Sequence, residues 1–341
     1  MIGARLSSAL LLLAACSAAK RRTTGEPSKA TPVRIGYQKY LSFAPLFIAR
    51  EEGFFRNHGV DVEFIDMFDG NAGTAAIVSG ALDVLAGPAN PGLLNAIARG
   101  APVRLVADKG SIPFDGCSPM GLIGRPGIDL AARSGPTAVR RISPSRATFS
   151  IEYFVERALA TASLAMASLE TVHLPTPILS DALARGSVDL VATTEPGLTR
   201  LVDAGNRMLL DASEVVPGLS YAFIVFGDRL IRSDRDLGRR FIQAYLEGIH
   251  QYELGKTDRN LEIVAAATGD DPNVLRRACW APFRTSDPDS VAFGLFQDWA
   301  VGRNALARRL SMAELWDGSF LHEAIRPGGL PPAPTDRRGG G

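Results

Sequence analysis

Hydrophobic and polar positions along the chain change repeatedly between the alternation of strands and the wider spacing of helices. Short runs rich in β-branched and other apolar residues predict strands at 33–37, 60–67, 83–86 and 103–107. The segments between them carry apolar residues at helical spacing, and Gly59 follows one helix end, where a left-handed residue is favoured. Strands that alternate with helices of this length indicate parallel βαβ units and therefore an α/β fold.

A seven-residue pattern occurs twice, at 80–86 and at 186–192. Each copy has a glycine that ends a helix, two further residues, an aspartate and then an apolar strand, so that Asp83 and Asp189 are equivalent. The copies are too far apart for the repeats of a solenoid. We interpret them as a sign of two lobes with similar α/β topology.

Two long helices are predicted near the end of the chain, at 237–256 and 289–309, because aromatic residues recur there at helical spacing. Aromatic stripes of this kind belong to hydrophobic cores far more often than to ligand sites. We therefore expect both helices to pack against the first lobe.

The first residues have the layout of a secretory signal, with Arg5, a short apolar run and small residues before Cys16. The apolar run is about half as long as the roughly 20 residues that a bilayer span needs. The tetrapeptide ending at Cys16 resembles a bacterial lipobox, so we expect 1–15 to be a signal peptide and Cys16 to be lipidated. An ordinary secretory cleavage site is the alternative. Residues 16–31 are predicted to be a flexible tether and 327–341 a disordered tail.

The composition is that of an ordinary globular protein, with 46% hydrophobic residues, 21% charged residues and a net charge of +1. This near-neutrality argues against nucleic acid as a partner, because nucleic-acid-binding proteins usually present a basic face. No CxxC motif or Cys/His cluster is present, so no metal site is expected. Cys117 and Cys279 could form a disulfide in an oxidising compartment, but we favour two unpaired, buried thiols.

Several motifs along the chain are shared with one family of proteins. They are Ile35-Gly36-Tyr37, residues 44–62, residues 79–84, Glu195-Pro196 with 198–200, residues 298–301 and residues 317–321. Over residues 32–326 the chain resembles the solute-binding proteins of ABC importers for sulfonates, taurine, nitrate-like ligands and thiamine pyrimidine precursors.

The resemblance implies a bilobal type II periplasmic-binding-protein fold, in which two mixed-sheet α/β lobes are joined by two hinge segments. Lobe I would comprise residues 32–112 and 215–326, and lobe II would comprise residues 113–214. The hinge segments would cross between the lobes near 109–113 and 211–219.

Ligands of open α/β sheets bind beyond the carboxyl ends of the strands, near helix N-termini. Polar side chains at such positions predict a ligand site made by both lobes. The predicted ligand-binding residues of this kind are Gln38, Tyr40, Ser42, Asn71, Thr74, Asn90, Ser145, Thr148 and Ser150. Instead of binding a ligand, the residues after the first strand could lie in an exposed loop. Those at helix starts could serve only as helix caps.

Glu195 is the remaining predicted ligand-binding residue, because it follows the strand predicted at 189–193 and faces the cleft between the lobes. A carboxylate in a closing cleft needs a partner, since burying an unpaired charge costs roughly several kcal/mol. A ligand amine or amidine would supply that partner, whereas a sulfonate or nitrate would be repelled unless Arg or Lys intervened. A nitrogen-containing, pyrimidine-like ligand is therefore favoured. An ion pair with Arg200 is the structural alternative.

The resemblance implies an exported, lipid-anchored solute-binding protein that faces the periplasm or the cell exterior. It would act as a monomer, close about its hinges on a small ligand and deliver that ligand to an ABC permease. No Walker motif is present, so the ATPase must be a separate chain. No cofactor is expected.

The sequence is also compatible with three alternative functions. The same fold could bind a sulfonate-, taurine- or nitrate-like anion, or it could belong to a ligand-sensing lipoprotein. It could also belong to an enzyme, although nothing in the sequence brings the four histidines together and no nucleophile–base pair is evident. We therefore expect a binding protein and not an enzyme.

Overall fold

The computed structural model describes residues 32–67, 70–144 and 148–325, and these form two five-stranded sheets. The first sheet has the strand order β2-β1-β3-β10-β4, and the second has the order β7-β6-β8-β5-β9. The strands are β1 (Val33–Tyr37), β2 (Val62–Asp66), β3 (Val84–Pro88), β4 (Arg104–Ser111), β5 (Met120–Gly124), β6 (Arg141–Pro144), β7 (Glu170–Thr171), β8 (Leu190–Thr194), β9 (Arg207–Asp211) and β10 (Ser220–Phe226).

Helices connect these strands and cover the sheets. The α-helices are α1 (Ala44–Glu51), α2 (Phe54–Asn57), α3 (Gly70–Val78), α4 (Pro91–Ala98), α5 (Phe149–Thr161), α6 (Leu179–Ala184), α7 (Gly197–Asp203), α8 (Ala212–Val215), α9 (Arg235–Glu253), α10 (Asp258–Thr268), α11 (Pro272–Arg277), α12 (Ser290–Gly302), α13 (Met312–Leu315) and α14 (Ser319–Ala324). Short 3-10 helices lie at Leu41–Phe43, Met166–Ser168 and Thr176–Ile178, and a π-helix lies at Arg229–Ser233. The alternation of strands and helices confirms the predicted α/β class.

In the first sheet β1 runs parallel to β2 and β3, whereas β10 runs antiparallel between β3 and β4. Phe223 and Val225 of β10 lie in one hydrophobic core, and Ile224 and Phe226 lie in another. A strand buried on both faces is expected to be a continuous hydrophobic run, as β10 is. β10 therefore holds together the helices on the two faces of the sheet.

The second sheet repeats this arrangement, and the recurrent seven-residue pattern falls on the equivalent strands β3 and β8. β6 runs parallel to β7 and β8, and β5 runs antiparallel between β8 and β9. Asp83 Oδ2 accepts a hydrogen bond from the main-chain N–H of Arg34 in β1 at 2.9 Å. Asp189 Oδ2 accepts one from the main-chain N–H of Arg141 in β6 at 3.0 Å. Each aspartate thus fixes the neighbouring parallel strand.

Two connections join the sheets, since residues 112–119 lead from β4 to β5 and residues 212–219 lead from β9 through α8 to β10. We name the part with the first sheet lobe I and the part with the second sheet lobe II. Two mixed α/β sheets joined twice in this way form the predicted bilobal type II periplasmic-binding-protein fold.

The two long helices predicted near the end of the chain are α9 and α12, both shorter than predicted. The aromatic residues of α9 are buried in the core of lobe I. In α12, the ring of Phe293 lies 5.4 Å from that of Phe223 in lobe I. Trp299, nearly two turns further on, lies 4.6 Å from Phe149 and 5.2 Å from Tyr153 of α5 in lobe II. α12 therefore packs against the first lobe as predicted, and its aromatic stripe is long enough to contact the second lobe as well.

Cys117 and Cys279 form a disulfide bond, with their Cα atoms 5.7 Å apart. The expectation of two unpaired thiols is therefore wrong. Cys117 lies in the first connection between the lobes, and Cys279 follows α11, 162 residues later. The local sequence around either residue does not indicate that the two segments meet in the fold.

No helix in the described ranges is both long and apolar enough to cross a membrane. The predicted signal peptide, Cys16, the tether and the tail lie outside the described residues, and so does Ser145. These predictions stay predictions.

Candidate ligand-binding site

A cavity of about 100 Å³ lies between the lobes, at the carboxyl ends of the parallel strands. Its wall includes Gln38 after β1, Pro88 at the end of β3 and Thr194 at the end of β8. This is where ligands bind in open α/β sheets. A cavity of this size has room for fewer than about ten water-sized groups, so it suits a small molecule.

Six of the ten predicted ligand-binding residues line this cavity, and they come from both lobes. They are Gln38, Tyr40, Ser42, Thr148, Ser150 and Glu195. Asn71, Thr74 and Asn90 do not line it. Asn90 Oδ1 accepts a hydrogen bond from Leu93 N at 2.8 Å and caps α4, while Asn90 Nδ2 donates to Thr74 Oγ1 at 3.2 Å. These contacts support the helix-capping alternative for Asn90, with Thr74 as a neighbour that orients it.

Lys109, near the end of β4, is the only lysine or arginine among the described residues that line the cavity. It is 4% exposed, and its Nζ donates a hydrogen bond to Ser42 Oγ at 2.8 Å. The same Nζ lies 3.4 Å from the centre of the Phe43 ring, which attracts a cation to its face. Because Ser42 and Phe43 directly precede α1, the lobe I wall combines a lysine cation with the start of a helix.

The lobe II wall also contains the start of a helix. Thr148 and Ser150 lie at the N-terminal end of α5, and their hydroxyl oxygens are 3.4 Å apart. The Thr148 side chain does not cap a main-chain N–H of the first turn. The N–H groups of a first helical turn lack intrahelical acceptors and carry the positive end of the helix dipole. Both lobes therefore present to the cavity groups that stabilise negative charge.

Glu195 lines the cavity, but its carboxylate already has three donors from the protein. Oε1 accepts hydrogen bonds from Cys279 N and Thr199 Oγ1, both at 3.0 Å, and Oε2 accepts one from Thr199 N at 3.1 Å. Burial raises the pKa of Glu195, while these donors and the charge of Lys256 oppose the rise. Arg200 forms an ion pair with Asp270 at 2.5 Å and not with Glu195. The sequence predicts that a ligand amine is the partner of Glu195, but the protein itself supplies that partner.

A second segment of lobe I, residues 279–283, contributes every residue except Trp280 to the wall on the side of Glu195. The disulfide with Cys117 fixes its first residue, and Tyr252 Oη donates a hydrogen bond to Ala281 O at 3.1 Å. Directly after it, Arg284 N donates to the buried Asp108 Oδ2 at 3.1 Å. These contacts hold an otherwise irregular segment in one position.

Two ion pairs join α7 of lobe II to the part of lobe I that precedes this segment. They are Arg200 with Asp270 at 2.5 Å and Asp203 with Arg277 at 2.7 Å. Together with the Glu195–Cys279 hydrogen bond they connect the lobes along one side of the cavity.

Sequence reasoning missed Lys109 and Tyr221, which both line the cavity. Their position in the chain could have indicated a role in the site. Lys109 begins the first predicted hinge segment, and Tyr221 closely follows the second. Strands that pass from one lobe to the other must border the cleft, so polar residues at their ends are candidates for ligand contact.

Comparison with known proteins agrees with this architecture. Residues 41–117 match the family model described as NMT1/THI5 like. No curated protein matches the chain significantly. Among solved structures, the ligand-binding component of an ABC-type import system from Staphylococcus aureus, with zinc bound, superposes with a TM-score of 0.71. It is 13% identical, and the match covers 87% of this chain and 100% of that one. The chain has the fold of ABC-type solute-binding proteins.

Two further solved structures have the same fold. The periplasmic aliphatic sulphonate binding protein SsuA from Escherichia coli is 16% identical, with a TM-score of 0.68 over 84% of this chain and 92% of that one. The desulfurization enzyme DSZB is 17% identical, with a TM-score of 0.65 over 86% and 98% of the two chains. The family-model match and this shared fold confirm the resemblance that the sequence motifs indicate.

Proposed function

We propose that this protein is the solute-binding component of an ABC importer and that it binds a small organic sulfonate in the cavity between its lobes. The observation that carries the proposal is the cavity itself, which both lobes line at the carboxyl ends of their strands and whose described wall contains Lys109. A ligand held there contacts both lobes and therefore favours their closed arrangement over an open one. A permease with a separate ATPase would receive the ligand.

The charge of the wall supports an anionic ligand. Lys109 carries its positive charge next to Ser42, and α5 directs its first turn at the cavity from lobe II. Positive groups that are buried and already in place attract an anion without further reorganisation. The carboxylate of Glu195 accepts hydrogen bonds from three protein donors. It therefore repels an anionic ligand less than an unpaired carboxylate would.

The apolar part of the wall supports an organic anion over an inorganic one. Leu41, Phe43, Ile151 and Phe283 line the cavity beside these polar groups. Small-molecule sites typically combine such an apolar lining with a few placed polar groups, which fix the ligand's orientation. A sulfonate with a short apolar chain or ring satisfies both parts. The fold shared with SsuA, a protein named for binding aliphatic sulphonates, is in keeping with this choice.

The pyrimidine-like ligand inferred from the sequence now has less support. That inference depended on Glu195 needing a ligand amine, and the hydrogen bonds from Thr199 and Cys279 remove the need. A nitrogen heterocycle would also bring no negative charge to Lys109. The anion that the sequence analysis kept as an alternative is therefore our main proposal.

An enzyme is the second candidate function, and one contact favours it. Lys109 Nζ lies 2.8 Å from Ser42 Oγ, and a serine with a basic partner is a pattern found in nucleophilic catalysis. For that role the amine would have to be neutral and take the serine proton. The binding role needs only the ammonium, which is the ordinary form of lysine at neutral pH. Mass spectrometry of ligand recovered after prolonged incubation separates the two, because a binding protein returns it unchanged.

We also propose that the protein is exported and anchored by a lipid on Cys16. Each buried CH₂ of an acyl chain contributes about 0.8 kcal/mol of membrane affinity, so several chains would retain the protein at the membrane. A tether at 16–31 would raise its effective concentration at the permease. A Cys16→Ser variant should be released in soluble form and still bind ligand. Its firm retention in the membrane fraction would contradict the anchor.

Isothermal titration calorimetry with ethanesulfonate, butane-1-sulfonate, nitrate and an aminopyrimidine tests the ligand proposal. We expect a sulfonate to bind and Lys109→Met to raise its Kd by at least about 30-fold, since losing one partner of a buried charge pair costs about 2 kcal/mol or more. Lys39→Met is the matched control, because Lys39 is exposed, pairs with Asp66 and lies outside the wall. Binding of the aminopyrimidine alone would overturn the proposal.

A further inference from the structure

Tyr221, in β10, is a mostly buried residue whose hydroxyl makes no hydrogen bond to the described part of the protein. The residue is 9% exposed and lines the cavity. Its hydroxyl has no hydrogen-bond partner among the residues that the structure describes. Polar groups of mostly buried side chains usually have a hydrogen-bond partner, so we expect the partner of this hydroxyl in the cavity.

Nearby buried tyrosines show the usual arrangement. Tyr245 Oη donates to Asp108 O at 2.9 Å, and Tyr252 Oη donates to Ala281 O at 3.1 Å. Both hydroxyls therefore stabilise the fold of lobe I. Tyr252 also lines the cavity, but Tyr221 differs from both tyrosines because its hydroxyl has no acceptor among the described residues, so a ligand atom in the cavity can be its partner.

The backbone around Tyr221 is irregular at this point. Ser220 pairs with Ser111 and Ala222 pairs with Gly110, so Tyr221 is the extra residue of a bulge in β10. A bulge redirects a side chain and is frequent beside functional sites. The irregularity therefore sets the direction of the Tyr221 ring.

Gly110 provides the space for the ring. A Cβ atom at position 110 would lie 2.7 Å from Tyr221 Cζ and 2.8 Å from the hydroxyl oxygen, closer than real Cβ contacts allow. Any side chain larger than hydrogen at this position would displace the hydroxyl. Gly110 and Tyr221 thus act together to place one hydroxyl group at the cavity.

We propose that Tyr221 is a specificity-determining residue whose hydroxyl donates a hydrogen bond to an oxyanion oxygen of the ligand, an inference that rests on the proposed function. Burial raises the pKa of Tyr221, and the charge of Asp108 adds to the rise, so the group stays a donor at neutral pH. With Lys109 it supplies two donors from neighbouring strands β4 and β10. The site then selects ligands that have several anionic oxygens, as a sulfonate has, over ligands that offer only donors.

Calorimetry with butane-1-sulfonate as the probe tests this assignment. We expect Tyr221→Phe to raise the Kd by about 10- to 100-fold, the usual effect of losing a hydrogen bond to a charged group, and to leave Tm unchanged. Tyr245→Phe is the matched control and should show the opposite pattern, a lower Tm with little change in Kd. Gly110→Ala should weaken binding as Tyr221→Phe does, because it displaces the same hydroxyl.

The outcomes separate the two proposals. A Kd for Tyr221→Phe within about twofold of the wild-type value would overturn the assignment of Tyr221 while leaving the proposed function intact, as would a lower Tm that reveals a structural role for the hydroxyl. Failure of the wild-type protein to bind either sulfonate would overturn the proposed function, and with it the oxyanion partner of Tyr221.

Discussion

The main-chain N–H of Cys279 donates a hydrogen bond to Glu195 Oε1 at 3.0 Å, and the sulfur of the same residue is bonded to Cys117. Cys279 belongs to lobe I, Glu195 to lobe II and Cys117 to a connection between them. One residue therefore joins all three parts beside the cavity. The position of this wall segment depends on a covalent bond and a charged hydrogen bond together.

Removal of the disulfide should lower the stability of the protein substantially. The bond joins residues 162 positions apart, and chain-entropy arguments assign a loop of that length up to about 5 kcal/mol. We expect the double variant Cys117→Ser/Cys279→Ser to lose free energy of unfolding up to this amount, measured by chemical denaturation. A reducing agent should destabilise the wild-type protein and leave the double variant unaffected. Equal sensitivity of the two proteins to reductant would contradict the bond.

Neutralising Glu195 separates its structural role from a role in binding a ligand amine. In Glu195→Gln the amide nitrogen faces a donor, so one hydrogen bond from Thr199 or Cys279 is lost. We expect a decrease of about 1–3 kcal/mol in the free energy of unfolding. The Kd for a sulfonate should stay the same or fall, because a negative charge leaves the cavity wall.

Thr199→Val provides the matched control for this prediction, since it removes one donor to Glu195 and keeps the charge. It should reduce stability without improving sulfonate binding. A large rise in Kd in Glu195→Gln, without a similar rise in Thr199→Val, would instead support a direct contact between the carboxylate and a cationic ligand group.

Much of the fold could be predicted from local sequence, because strands, helix stops and the carboxyl ends of strands depend on neighbouring residues. The recurrence of Asp83 and Asp189 is the clearest example. Both accept hydrogen bonds from the main chain of the adjacent parallel strand, so a pattern in the sequence reports an equivalent contact in each lobe. Proline after Asn90 likewise predicts the capped start of α4.

The disulfide and the polar contacts of the cavity could not be predicted, because they join segments that are distant in sequence. Nothing near Cys117 indicates that Cys279 lies beside it, and nothing near Glu195 indicates that the main chain of Cys279 donates to it. The contact of Lys109 with Ser42 joins residues 67 positions apart. The electrostatics of the cavity, and hence the preferred ligand class, changed once these contacts were known.

Asp108 should make the stability of the protein depend on pH. It is 1% exposed and accepts hydrogen bonds from Ser111 Oγ at 2.6 Å and Arg284 N at 3.1 Å, yet burial raises its pKa to about 6. Because the folded state binds this proton more tightly than the unfolded state, its contribution is full below about pH 4. That contribution falls as the pH rises to about 6, by about 3 kcal/mol.

Comparing Asp108→Asn with the wild-type protein isolates that contribution from those of other groups. The difference between their free energies of unfolding should change by about 3 kcal/mol between pH 4 and pH 7, measured by urea denaturation at several pH values. Parallel stability curves for the two proteins would show that Asp108 titrates at its ordinary pKa.

The ion pairs between the lobes should tune ligand affinity weakly and in a salt-dependent manner. Arg200 with Asp270 and Arg277 with Asp203 connect α7 to lobe I but lie outside the described wall residues. Partly exposed pairs contribute about 0.2–1 kcal/mol, so Arg200→Ala or Arg277→Ala should raise the Kd by no more than about fivefold by favouring the open arrangement. The effect should largely disappear at about 1 M salt, where charges are screened within about 3 Å. A larger loss that persists at high salt would mean that these arginines contact the ligand directly.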